Sequence, residues 1–175
     1  YALARRARDS FNYEDALKYY ESILVKEPNS WEATWYQAYL KIIVENRTDV
    51  GPVGVIAEKA IGKAVESVSK NISSVEEQIN ILKELKNSVL DLYTKLDKVA
   101  EIVGNDGGHY VANKSGAIIV KCGYYAALHD YFGSNTEIME KYGVMQLKEH
   151  IPELNDGGHR QKLIACVKKY DSNYC

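Results

Sequence analysis

The chain has 175 residues, 46% of them hydrophobic and 26% charged, with a net charge of -2. That length supports one domain with a core of its own, and the ordinary apolar content excludes a disordered chain. A pI of about 6.1 lacks the basic excess that binding a phosphate backbone demands, which excludes a nucleic-acid partner.

Apolar residues recur at helical spacing along the whole chain, and no stretch alternates as a half-buried strand would. The first helix is expected over residues 2–11, with Leu3, Ala4, Ala7 and Phe11 on one stripe, and Asn12 ends it. A second covers residues 13–27, its inner face formed by Ala16, Tyr19, Tyr20, Ile23 and Leu24, and Pro28 stops it. Ser30 is the expected N-cap of a third helix carrying Trp31, Trp35, Ala38 and Ile42. Residues 45–51 read as a loop. A fourth helix over residues 53–70 places Val53, Ile56, Ala57, Ala60, Ile61, Ala64, Val65 and Val68 on one face.

Ser73 and Ser74 stand before Glu76 and Glu77 at capping-box spacing and open a fifth helix that runs to Val103. Its near-heptad stripe comprises Val75, Ile79, Leu82, Val89, Leu96, Ala100 and Val103, with Lys86 and Tyr93 filling two positions. A helix of that length needs an equally long neighbour, or several short ones in series. Further helices are expected over residues 110–132, 136–150 and 160–170, with breaks at Gly133, Pro152 and the pair Gly157-Gly158. The fold class is therefore all-α, with about eight helices in a bundle or solenoid. Residues 1–45 form an opening helical unit, and residues 52–175 form a long-helix bundle packed on it as one continuous structure.

Leu3-Ala4, Ala16, Tyr20 and Pro28 fall at the offsets of a tetratricopeptide repeat (TPR), and the segment resembles that family. The spacing has a physical cause. Small residues at positions 4 and 16 let two antiparallel helices approach, Tyr20 covers the pair, and Pro28 stops the second helix. Ala38 begins a further unit, which Lys41 and Val50 then interrupt, and Ala7 stands where an aromatic is usual. The resemblance covers about a quarter of the chain, one repeat plus the first helix of a second. Together with the segment Trp31-Glu-Ala-Thr-Trp-Tyr36, it makes the chain similar to uncharacterised bacterial proteins that join a zinc ribbon to TPR-like helices; no ribbon is present here.

The resemblance implies a concave face that carries Arg5, Arg8, Trp35 and Tyr39 from the first and third helices. Two guanidiniums beside two aromatics suit a peptide carboxylate or an acidic segment. The other reading of the same residues has later helices covering Trp35 and Tyr39 and leaves the arginines to solvent. Fourteen tyrosines against two phenylalanines suit helix interfaces that are partly wet, where a ring packs and its hydroxyl still bonds.

The pentapeptide Asn-Asp-Gly-Gly-His occurs twice, ending at His109 and at His159. An even number of helices between the copies returns both loops to one end of the bundle. Asp106, His109, Asp156 and His159 could then meet around a divalent metal, while turn and capping chemistry explains the same residues without one. Cys122, Cys166 and Cys175 lack ribbon or disulfide spacing and read as reduced thiols in a cytoplasmic protein. Asn46, Asn71 and Asn113 each open a short glycosylation-type pattern. No signal-peptide pattern or bilayer-length apolar run is present. Cys122 and His129 share a helix face without the acid that would complete a catalytic triad. With no nucleophile, phosphate or zincin motif and no cofactor signature, the expectation is a non-catalytic scaffold for a protein or peptide partner. Metal binding at the paired loops is the alternative.

Overall fold

In the computed structural model, residues 1–103, 110–143, 147–149, 151–153, 157–168 and 172–174 are described. Among these residues every regular element is helical. The elements are α1 (Ala2–Asp9), α2 (Tyr13–Lys26), α3 (Trp31–Val44), α4 (Val50–Asn71), α5 (Val75–Val103), α6 (Tyr110–Phe132), α7 (Thr136–Tyr142) and α8 (Gly157–Lys168). A 3₁₀ turn at Ile151–Glu153 precedes α8.

Local chemistry sets most of the helix starts. Asn12, Ser30 and Asn135 each accept a hydrogen bond from a backbone N–H in the first turn of the helix that follows. Ser74 Oγ accepts from the Glu77 N–H, half of the expected capping box. The start of α4 differs from expectation by one turn. Pro52 lies inside that first turn, where an N–H has no helical partner, so the proline begins the helix instead of ending a loop. Gly143 closes α7 by bonding back to the Met139 carbonyl, and residues 147–149 of the expected span are helical again. Gly157 and Gly158 open α8 and do not interrupt the chain.

Helix α6 is the centre of the molecule. Residues 115–120 and 122–129 are all buried, so it is covered around nearly its whole circumference. Helix α4 runs alongside it in the same direction, Gly54 against Gly116 and Glu58 against Gly123. Helix α5 runs the opposite way. The Tyr124 hydroxyl donates to the Leu82 carbonyl at 2.8 Å, and the Lys114 ammonium near the start of α6 reaches Asp97 and Glu101 near the end of α5.

The buried side of α5 is Gln78, Leu82, Leu85, Val89, Leu92, Leu96 and Ala100. Four of the expected stripe positions are buried, Leu82, Val89, Leu96 and Ala100, but Leu85 and Leu92 fill the buried side where Lys86 and Tyr93 were expected. Those two lie beside it, Lys86 over the Tyr125 ring and Tyr93 under Lys121. Val75 and Val103 end the helix exposed.

In the opening unit Ala4, Ala16 and Tyr20 are buried as close helix contact requires, whereas Leu3, Phe11 and Tyr19 are exposed. One apolar cluster runs from Ala4 through all the long helices to Val167. Among the described residues, no helix is long and apolar enough to cross a membrane.

Candidate functional site

One face of α3 carries Glu32, Trp35, Tyr36 and Tyr39, which recur at helical spacing. One face of α5 carries Glu84, Ser88, Asp91 and Lys95, again at helical spacing. The two faces bond to each other in order. Tyr36 donates to Glu84 Oε1 at 3.0 Å, Trp35 Nε1–H to Ser88 Oγ at 2.7 Å, and Tyr39 to Asp91 Oδ2 at 2.5 Å. Lys95 donates to the Tyr39 hydroxyl at 3.0 Å and also bonds Asp91. Aromatic side chains thus bridge α3 and α5, and each buried polar tip finds a partner, as a buried donor must.

Behind this ladder sits Glu32, a carboxylate only 3% exposed. Arg5 grips it with Nε at 2.8 Å and with a second bond from Nη2, while the Tyr20 hydroxyl donates to it at 2.9 Å. This fork is the geometry in which a guanidinium holds a carboxylate most firmly. The Tyr20 and Tyr36 rings stack at 5.4 Å, and the Arg8 guanidinium lies 4.2 Å above the Tyr36 ring. Arg8 also donates to Asp9 at 2.9 Å and to Glu84 at 3.4 Å. Burial pushes the Tyr20, Tyr36 and Tyr39 phenols above their ordinary range, and the neighbouring carboxylates Glu32, Glu84 and Asp91 push the same way.

A groove of about 680 Å³ opens where α1 and the start of α2 face α5, with Tyr36 and Tyr39 at its floor. Phe11 and Tyr13 stand at its rim, their rings 6.0 Å apart and edge to face. Phe11 is 77% exposed, and its φ of 60° places a bulky residue in the left-handed region. The cause is the end of α1. The Phe11 N–H bonds the Arg8 carbonyl and the Asn12 N–H bonds the Ala7 carbonyl, the paired bonds of a Schellman turn, whose left-handed residue is usually glycine.

Three of the expected face residues, Arg5, Arg8 and Tyr39, line this groove, but not in the form the sequence suggested. Trp35 is fully buried and its indole N–H is spent on Ser88, so it offers no surface to a ligand. Tyr39 is nearly buried under α5. Both arginines are already engaged with carboxylates of this chain. Asp106, His109 and Asp156 of the paired loops lie outside the described residues, as does the side chain of His159. Among the described residues, no group of three or more His, Cys, Asp or Glu side chains assembles as a metal site would need.

Sequence reasoning missed Glu32 and the polar face of α5. Their signals were present. Glu32 is a lone acid on an otherwise aromatic helix face, and Glu84, Ser88, Asp91 and Lys95 form a polar stripe beside an apolar one. Only the pairing of α3 with α5 joins the two. No family model, curated protein or solved structure matches the chain.

Proposed function

We propose that this protein is a non-catalytic helical module that holds a segment of a partner protein in the groove between α1, α3 and α5. The observation that carries this reading is the preformed aromatic floor. Tyr36 and Tyr39 are fixed by hydrogen bonds to α5 before any partner arrives, so binding spends little free energy on ordering them. The Phe11 ring supports the same reading, because exposure and an uncommon backbone conformation coincide at the groove's rim. A TPR-like origin of α1 to α3 is consistent with the buried Ala4, Ala16 and Tyr20. On this reading the module works in the cytoplasm, and its partner is a protein or peptide.

Peptide-display selection on the immobilised chain tests the groove. Selected peptides should lose affinity for Phe11→Ala and Tyr13→Ala, while circular dichroism and melting stay near those of the parent chain. Peptides that bind both variants as tightly as the parent would place the interaction elsewhere.

A further inference from the structure

The wall that α5 gives the groove carries charge of both signs, and the order of the signs is informative. Glu84, Asn87, Asp91, Lys95 and Lys98 recur every three or four residues, so they form one stripe along the helix. The exposed Glu77 extends the stripe by one heptad towards the start of α5. Acids occupy it up to Asp91, and lysines follow.

Capacity stays open on both halves. The bonds to Glu84 from Tyr36 and Arg8 both land on Oε1, and those to Asp91 from Tyr39 and Lys95 both land on Oδ2. Glu84 Oε2 and Asp91 Oδ1 receive no hydrogen bond from the described residues, and these side chains are 45% and 49% exposed. Lys95 uses two of its three N–H donors, on Asp91 and on the Tyr39 hydroxyl. Lys98 is exposed and makes no hydrogen bond or ion pair with the described residues. Glu84 and Lys95 stand three helical turns apart, ~16 Å along the axis, so they cannot satisfy each other within one chain.

We propose that the partner at the groove is a second copy of this chain, its α5 lying antiparallel across this α5 about a two-fold axis level with Val89 and Leu90. This names the partner protein of the groove and rests on that reading. A two-fold contact is isologous, so every contact is made twice. Antiparallel alignment sets Glu84 against Lys95 of the second copy and Asn87 against its Asp91. Lys98 falls between Glu77 and Glu84 of the second copy. Each pair joins an open donor to an open acceptor. A partner of one sign would leave half of the stripe unmatched, and a parallel copy would set Glu84 on Glu84. Phe11, 77% exposed, and Tyr13 stand at the opposite rim, where the flank of the second α5 covers them.

Light scattering on size-exclusion fractions of the whole chain tests this. The parent should be dimeric at ~100 μM, and the dimer should weaken as salt rises. Glu84→Lys and Lys98→Glu should each raise the dimer dissociation constant about tenfold, because the two-fold repeats the change of sign at both ends. An equimolar mixture of the two variants should recover the dimer, since each supplies the charge that the other lacks. Lys98 has no such bond to lose, so its variant should melt with the parent. A monomeric parent whose selected peptides still lose affinity in Phe11→Ala would overturn the second copy and leave the groove standing. A dimer indifferent to both charge variants, or variants that fail to recover in the mixture, would place the contact elsewhere and overturn the proposal. If the chain is monomeric and no peptide is selected, the groove reading falls with it.

Discussion

At Phe11, backbone and side chain both work against stability. A left-handed conformation costs an L-residue about 1–2 kcal/mol, and glycine recovers that less its own entropy of about 0.5–1 kcal/mol. Phe11→Gly should therefore stabilise the chain by about 0.5–1 kcal/mol in thermal or denaturant unfolding while weakening peptide binding. An unchanged or lower stability would show that the ring's edge contact with Tyr13 outweighs the strain. Glu32 presents the opposite case, a charged side chain whose loss should hurt. Glu32→Ala leaves the Tyr20 hydroxyl buried without its acceptor, at a cost of about 1–3 kcal/mol. Arg5 is half-exposed and can turn to water, so the larger penalty of a stranded buried charge does not apply. Urea unfolding of the variant measures the difference.

Between elements, the closest approach is α4 on α6. A Cβ at Gly54 would lie 2.2 Å from the Gly116 carbonyl oxygen, and one at Gly116 would lie 2.5 Å from the Val50 carbonyl oxygen. Both obstacles are backbone, so no rotamer change relieves them. Gly54→Ala and Gly116→Ala should each cost about 3 kcal/mol or more, the upper end of overpacking. Gly62 is in the same helix as Gly54, and a Cβ there would meet nothing within 4 Å. Gly62→Ala should stabilise by about 0.5–1 kcal/mol through helix propensity alone. Parallel melting curves of the three variants separate packing from propensity, and a harmless Gly54→Ala would mean the helices do not touch there. Helix α5 illustrates a different point. Its seven-residue period was legible, yet the choice of Leu85 and Leu92 over Lys86 and Tyr93 followed from which side met α6.

For the molecule as a whole, the buried phenols predict the response to alkali. Tyr20, Tyr36 and Tyr39 are held above the ordinary tyrosine value of about 10, chiefly by burial. A raised folded-state value means the unfolded chain loses these protons first as pH rises. Their contribution is thus complete below pH ~10 and declines above it. The thermal midpoint should fall steadily through that alkaline range. Tyr39→Phe should soften the fall while lowering stability near neutrality by about 0.5–1.5 kcal/mol, the worth of the lost hydrogen bond. A midpoint that is flat well above pH ~10 would contradict the burial of all three rings.

The all-helical class, the capping residues Asn12 and Ser30, and the stop after α2 were legible in the order of residues. These depend on residues within a turn or two of each other, where periodicity and capping act. That a helix as long as α5 needs a long neighbour, or several short ones in series, was legible too, and α6 and α4 are the helices it packs against. Packing settled which side of α5 is buried, that α6 is enclosed on almost every side, and that Trp35 is core. It also bound the arginines of α1 to Glu32, Glu84 and Asp9, the first two of them remote in sequence. Glu32 and Glu84 are far apart along the chain, and only the packing of α1 and α5 around α3 brings both of them to the arginines of α1. A charge's availability depends on every neighbour it meets, so which charges of the groove stay open is a property of the assembled fold.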